Sequence, residues 1–79
     1  MKDVPQKIRR LRELQNLTQE HLAECLGVSR QTYSKIEAGK TGLALDDLDL
    51  ISKALGCPPE AILSLPAEEA YMRYIYRID

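Results

Sequence analysis

The sequence predicts an all-α fold of five short helices followed by a C-terminal extension. Apolar residues recur at spacings of three and four along most of the chain, which is the period of amphipathic helices. Single glycines and prolines separate these segments, and no internal repeat, low-complexity tract or linker interrupts them. With 79 residues, of which 44% are hydrophobic, the chain has the size and composition of one small globular domain.

The first three helices have recognisable starts and ends. Pro5 suits the first turn of helix one, and the apolar face of that helix contains Val4, Ile8, Leu11 and Leu14. Thr18 and Ser29 are expected to be the N-caps of helices two and three, which Gly27 and Gly39 end. About three residues therefore join these two helices, and the segment from Gln19 to Ile36 is predicted to be a helix-turn-helix.

The fourth and fifth helices follow the same rules. Helix four is expected from about Leu45 to Leu55, with Leu45 at the start of its buried face and Gly56 at its end. Helix five begins with the sequence Pro58-Pro59-Glu60 and ends at Pro66. Together they complete the core of a domain predicted to span residues 1–65.

Residues 66–79 form a tail whose apolar residues fit both a helix and a strand. A helix aligns Tyr71, Tyr74 or Ile75, and Ile78, whereas a strand places Met72, Tyr74, Tyr76 and Ile78 on one face. The helix is favoured because residues 67–70 are strongly helix-forming. In either form the tail is too apolar to stay in water, so it is expected to be a homodimerisation segment. The expected dimerisation residues are Tyr71, Met72, Tyr74, Ile75 and Ile78.

The charge of the chain is unevenly distributed, although its net value is only −1. Residues 1–40 contain eight Lys or Arg and five Asp or Glu, which gives +3. Residues 41–79 contain three basic and seven acidic residues, which gives −4. A basic first half can follow nucleic-acid phosphates, and an acidic second half can face solvent or another protein.

The helix-turn-helix carries outward side chains that suit DNA. Ala23 is small where the two helices touch, and Tyr33 and Ile36 point inward. Arg30, Gln31, Ser34 and Lys35 then point outward, where such side chains can bond to base edges in the major groove. Phosphate contacts are expected from Gln19 and Lys40, and Thr32 and Ser34 can reach either phosphate or base.

Two stretches, LTQEHLAECLGVSRQTYSKIEAGK and LDDLDLISKALG, resemble the phage-repressor-like Xre/Cro family of helix-turn-helix regulators. The resemblance covers roughly residues 6–65. It implies a compact lambda-repressor-like fold that binds double-stranded DNA and regulates transcription. Base-reading positions of the family match Arg30, Gln31, Ser34 and Lys35, and its glutamine at the start of the second helix matches Gln19.

The same resemblance implies a structural ion pair between Arg12 and Glu37, which would brace the third helix from behind. One departure lies in the loop after Lys40, where the family often has a proline and this chain has Thr41-Gly42-Leu43. That loop is expected to be more mobile.

No enzyme is indicated, because the chain has no nucleophile–base pair and no glycine-rich phosphate loop. His21 has no second His or Cys or suitably spaced acid for a metal site, so no metal is expected. No cofactor and no small-molecule ligand are expected either. Cys25 and Cys57 are expected to be reduced thiols in a cytoplasmic protein. No apolar run is long enough to cross a membrane, and no secretory signal is evident.

These observations predict a homodimeric repressor that reads a palindromic operator with the helix from Ser29 to Ala38. The alternative is an antitoxin that binds a partner toxin through its acidic half or its tail and regulates its own operon. Under both hypotheses the chain binds DNA. A neighbouring toxin gene would distinguish them.

Overall fold

A computed structural model describes residues 3–76 and confirms the all-α prediction. The helices are α1 (Val4–Leu14), α2 (Gln19–Leu26), α3 (Arg30–Glu37), α4 (Leu45–Leu55), α5 (Pro59–Ser64) and α6 (Ala67–Ala70). A π-helical turn over Tyr71–Ile75 continues α6 directly. Within residues 3–76 no strand is present, so the tail takes the helical alternative as far as it is described. Ile78 lies outside the described residues.

The ends of α2 and α3 are set by local hydrogen bonds. The Thr18 hydroxyl accepts from the backbone N–H of His21 at 3.0 Å, and the Ser29 hydroxyl accepts from that of Thr32 at 3.1 Å. Between the two helices Gly27 takes φ = 72°, a left-handed conformation that lets the chain reverse within a few residues. The predicted caps and the predicted turn are therefore confirmed.

The core lies between α1 and the remaining helices. Among residues 3–76, Tyr33 is the largest fully buried side chain, and the same core contains the aliphatic residues Ile8, Leu11, Leu22, Ile51, Leu55 and Ile62. α1 packs against α3, α4, α5 and α6, while α2 packs against α3 and α4. Burial of one face by each helix supplies the main stabilising free energy.

The prediction that Leu45 is buried is wrong, because 83% of this residue is exposed. The buried residues of α4 are Leu48, Ile51, Ser52 and Leu55. At roughly 100° per residue, Leu45 lies about 70° from the centre of that face. It also belongs to the first turn of α4, and it lines an apolar surface groove together with Leu43 and Leu63.

The start of the tail belongs to the core. Ala67 and Ala70 are buried, and Tyr71 and Ile75 pack against the core while remaining partly exposed. α6 lies against α1 and α5. On the exposed surface, Arg10 of α1 also pairs with Glu68 of α6, with 2.9 Å between Nε and Oε2. In the part of the chain that is described, no helix combines the length and apolar character that crossing a bilayer requires.

Candidate nucleic-acid interface

One face of α3 is exposed along the whole helix, and it carries the predicted base-reading residues. Arg30, Gln31 and Lys35 are exposed, and Ser34 is partly exposed. The opposite face, with Tyr33 and Ile36, is buried in the core. This division follows from the helical period and leaves four polar side chains free to enter a groove.

The remaining predicted contact residues flank this row. Thr32 is exposed, and its hydroxyl oxygen accepts a hydrogen bond from the Ser29 hydroxyl at 3.0 Å. Lys40 is exposed just after α3, where Gly39 takes φ = 71° and the backbone N–H of Lys40 donates to the carbonyl of Lys35 at 3.0 Å. This helix-ending turn fixes the backbone of Lys40 next to the last turn of α3.

Behind the exposed row, Arg12 and Glu37 lie in direct contact. Nε of Arg12 donates to Oε2 of Glu37 at 2.7 Å, and Nη2 donates to Oε1 at 3.1 Å, so the pair is bidentate. The third guanidinium nitrogen, Nη1, donates to the carbonyl of Leu17 at 2.8 Å. The side chains are only 11% and 3% exposed, which places this ion pair inside the domain between α1 and α3.

Two further residues donate hydrogen bonds to the Glu37 carboxylate. The hydroxyl of Tyr33 donates to Oε2 at 2.5 Å, and Nε2 of Gln19 donates to Oε1 at 3.2 Å. Burial by itself raises the pKa of Glu37, but the hydrogen bonds from Arg12, Tyr33 and Gln19 outweigh it and leave this pKa below its ordinary value. The hydrogen bond to Glu37 also raises the pKa of Arg12. Glu37 is therefore a fully partnered, ionised carboxylate.

Gln19 is shared between this buried cluster and the surface. One amide hydrogen bonds to Glu37, while the second amide hydrogen and the side-chain carbonyl have no recorded partner among residues 3–76. The side chain is partly exposed at the first position of α2. The Glu37 carboxylate, which is paired with Arg12, thus also holds the side chain of Gln19, the predicted phosphate donor.

A surface depression lies where α1, α2 and α3 meet. Its lining comprises Arg9, Arg12, Leu17, Thr18, Gln19, Glu20 and Arg30. Arg9 is absent from the sequence-predicted site. Its spacing from Arg12 is a signal that could have found it, since residues three apart share a helix side.

Two other basic residues of α1, Arg10 and Lys7, have partners outside this depression. Arg10 pairs with Glu68, and Lys7 pairs with Asp3 at 3.4 Å and donates to the carbonyl of Leu63 at 3.4 Å. These contacts tie α1 to α5 and α6. Arg9 and Arg12 both line the depression, but Arg12 is bound to Glu37, whereas Arg9 pairs only with Glu13 on the surface of the same helix.

Of the predicted dimerisation residues, Met72 and Tyr74 are exposed, by 57% and 40%, while Tyr71 and Ile75 pack partly on the core. Tyr76, which is absent from the predicted set, is 43% exposed. The rings of Tyr71 and Tyr76 lie 5.9 Å apart between centroids. The exposed apolar surface of the tail is thus formed by Met72, Tyr74 and Tyr76.

Both cysteines are free thiols; Cys57 is buried and Cys25 is exposed. Burial raises the pKa of Cys57, as expected for a thiol packed in the core. Sγ of Cys25 lies 3.9 Å from Nε2 of His21, so His21 does have a neighbouring thiol one helical turn away. No group of three or more His, Cys, Asp or Glu placed to hold a metal is found in residues 3–76.

A family model described as helix-turn-helix matches residues 8–62, which include most of α1, all of α2, α3 and α4, and most of α5. The chain belongs to this Xre/Cro-like helix-turn-helix family. The match contains both helices of the helix-turn-helix and the Arg12–Glu37 pair that supports them.

Several curated relatives of this helix-turn-helix chain are known. An uncharacterized HTH-type transcriptional regulator of Methanocaldococcus jannaschii is 44% identical over 63 residues, which cover 80% of this chain and 96% of the relative. The control protein C.BamHI of Bacillus amyloliquefaciens is 41% identical over 59 residues, or 73% of each chain. The HTH-type transcriptional activator BcrR of Enterococcus faecalis is 44% identical over 59 residues, 75% of this chain.

The match with BcrR spans only 29% of that longer relative. No solved structure matches this helix-turn-helix chain significantly. Its family and relatives are regulators of transcription and not enzymes, so the chain is a helix-turn-helix DNA-binding transcriptional regulator.

Proposed function

We propose that this helix-turn-helix regulator is a cytoplasmic homodimeric repressor that reads a palindromic operator with the helix from Ser29 to Ala38. The observation that carries the proposal is the continuous exposed row on α3, whose opposite face is fixed in the core. A rigid helix with one free polar face is what major-groove readout requires. Occupation of a promoter by such a dimer represses transcription by excluding other proteins.

The side chains of the row have different roles in this proposal. Gln31 bonds to an adenine edge, and Arg30 and Lys35 donate to guanine acceptors. Ser34 and Thr32 bond to base or phosphate, and Gln19 and Lys40 donate to phosphates at the two ends of the reading surface. Phosphate contacts fix the register, and base contacts supply the sequence preference.

The tail supplies the proposed dimer contact. α6 is anchored on the core through Ala67 and Ala70, whereas Met72, Tyr74 and Tyr76 expose apolar surface that a second copy can bury. Pairing of two copies would set their recognition helices about 34 Å apart, one turn of DNA. The predicted contribution of Ile78 concerns a residue outside the described range.

Binding to a duplex of about 30 base pairs, selected by the wild-type protein from a random library, tests the reading surface. Gln31→Ala is expected to reduce discrimination against a shuffled duplex by about 1–3 kcal/mol. Lys40→Ala is expected to weaken binding to both duplexes and to lower the salt slope by about 1 for each protomer, or about 2 for the proposed dimer. Gln6→Ala, an exposed change on α1, is the matched control. Wild-type levels of binding in both test variants would refute the assignment of the surface.

Sedimentation equilibrium of the whole chain tests the tail. A Met72→Ser/Tyr74→Ser double variant is expected to dissociate to monomer at concentrations where the wild type is dimeric. Leu50→Ser, which changes another exposed apolar residue on α4, is expected to stay dimeric. A double variant that remains as dimeric as the wild type would exclude the tail as the dimer interface.

The antitoxin hypothesis remains the second proposal, because the same exposed tail and the acidic second half also suit a different protein partner. Under this hypothesis, Tyr74 contacts a toxin encoded by the neighbouring reading frame. Co-expression of the two proteins would give a stable complex that Tyr74→Ser weakens. A neighbouring product that neither binds the chain nor arrests growth would count against it.

A further inference from the structure

Positively charged side chains from α1 and α3 line the depression at the start of α2. Arg9 reaches it from α1 and Arg30 reaches it from the first position of α3, with Thr18 and Gln19 between them. Arg12 also lines it, but that guanidinium is neutralised by its bidentate contact with Glu37. Glu20 is the one acidic residue of the lining. Within the lining, Arg9 and Arg30 therefore exceed Glu20 by one positive charge, and the surface partner of Arg9, Glu13, lies outside the lining.

We propose that Arg9 and Arg30 together hold one backbone phosphate of bound DNA in this depression, which makes Arg9 a DNA ligand. The proposal rests on the proposed function and extends it by one residue and one contact. It also gives Arg30 a phosphate contact in addition to its reading role, since Arg30 lines the depression while Gln31 does not.

The current partner of Arg9 is weak enough to be exchanged. Nε of Arg9 lies 3.2 Å from Oε2 of Glu13 one turn further along α1, and the two side chains are 64% and 42% exposed. Exposed pairs of this kind contribute little, because water solvates both charges and salt screens them. A phosphate that offers several oxygens to a planar guanidinium forms the stronger, bidentate contact.

The backbone of α2 favours an anion at the same place. The N–H groups of Gln19 and Glu20 have no acceptor inside the helix, while that of His21 is already bonded to Thr18. These free N–H groups and the positive end of the helix dipole add to the charge of the two arginines. Glu20 opposes them, so the net attraction depends on Arg9 being present.

Arg10 provides a matched control on the next position of α1. It carries the same charge, is similarly exposed at 50%, and also pairs with one glutamate, Glu68. It does not line the depression. Replacement of either arginine by alanine changes the net charge equally, so a difference between the variants reports the position of the charge.

Fluorescence anisotropy of the full chain with the selected duplex and a shuffled duplex, over a series of salt concentrations, tests the proposal. Arg9→Ala is expected to remove about fivefold in affinity for both duplexes at physiological salt and about 0.9 in the salt slope for each protomer, so the proposed dimer loses about 25-fold and about 1.8. Arg10→Ala is expected to retain the wild-type slope. Arg9→Lys keeps the charge, and it is expected to recover the slope and part of the affinity. Circular dichroism checks that all variants are folded.

The outcomes separate this proposal from the function on which it rests. Equal slopes for Arg9→Ala and Arg10→Ala, with strong binding by the wild type, would overturn the phosphate site and leave the regulator intact. Loss of discrimination between the duplexes in Arg9→Ala would also overturn it, because that pattern belongs to a base contact. Absence of salt-dependent binding by the wild type would instead refute the proposed function.

Discussion

Glu37 accepts four hydrogen bonds from three residues, one on each of α1, α2 and α3. Removal of a carboxylate from water is costly, and the cost is offset here because every donor is placed at bonding distance. The same cluster includes Gln19, a proposed DNA contact. A buried charge thus fixes the relative positions of the helices that carry the interface.

Tyr33→Phe is expected to destabilise the protein by about 1–3 kcal/mol. The change deletes a buried hydroxyl and leaves Oε2 of Glu37 with one donor fewer, while the ring still fills the core. Urea denaturation measures the free energy of unfolding. Thr41→Val, which removes an exposed hydroxyl, is the control and is expected to change that free energy by less than about 0.5 kcal/mol. Equal effects of the two changes would contradict this description of the cluster.

The stabilising effect of Glu37 is expected to depend on pH. Its pKa is below the ordinary value of 4.5 in the folded state, so its contribution is fully present above that value and is lost as the pH falls through the folded-state pKa. Wild type is therefore expected to exceed Glu37→Gln in stability by about 3 kcal/mol at neutral pH. The free energies of unfolding of the wild type and Glu37→Gln should become equal in acid. A difference that stayed constant to low pH would show that the carboxylate is not the stabilising group.

Among the elements, the turn between α2 and α3 depends most directly on one residue type. Gly27 has φ = 72°, and an added Cβ would meet no atom within 4 Å, so any cost of substitution comes from the backbone alone. This makes the position a clean test of local conformation. Most residues other than glycine are disfavoured there.

Gly27→Ala is expected to lower the free energy of unfolding by about 1–2 kcal/mol through left-handed strain. Gly42→Ala is the matched change, because Gly42 also has open space around it but no left-handed φ. It is expected to be neutral or to stabilise the protein by up to about 1 kcal/mol. Thermal denaturation of both variants checks this, and similar losses in the two would argue against strain as the cause.

At the scale of the whole molecule, the tail has two surfaces with different roles. Its inner side, with Ala67 and Ala70, completes the core against α1, and its outer side exposes Met72 and Tyr74. The segment that would form the dimer interface therefore also stabilises the fold of the monomer. The predicted division into a DNA-binding domain, residues 1–65, and a dimerisation extension, residues 66–79, stays a prediction about function.

Removal of residues 67–79 is expected to destabilise the domain by at least about 2 kcal/mol, because it uncovers part of the core under Ala67 and Ala70. Removal of residues 77–79 alone is the control. Guanidinium denaturation at several protein concentrations would separate this loss from a loss of dimer contacts. A shortened chain as stable as the control would show that α6 adds nothing to the monomer.

By itself, the sequence determined the helices, their caps, the helix-turn-helix and the outward row on α3, because spacing, capping residues and left-handed glycines act over a few neighbouring residues. The tertiary structure decided which charges face the interface. Arg9 and Arg10 look alike in sequence, yet packing of α6 on α1 gives Arg10 a partner in Glu68, while Arg9 lines the depression with Arg30. It also left Leu45 exposed, since a residue about 70° from the centre of a buried helix face is covered only if a neighbouring element packs over that edge.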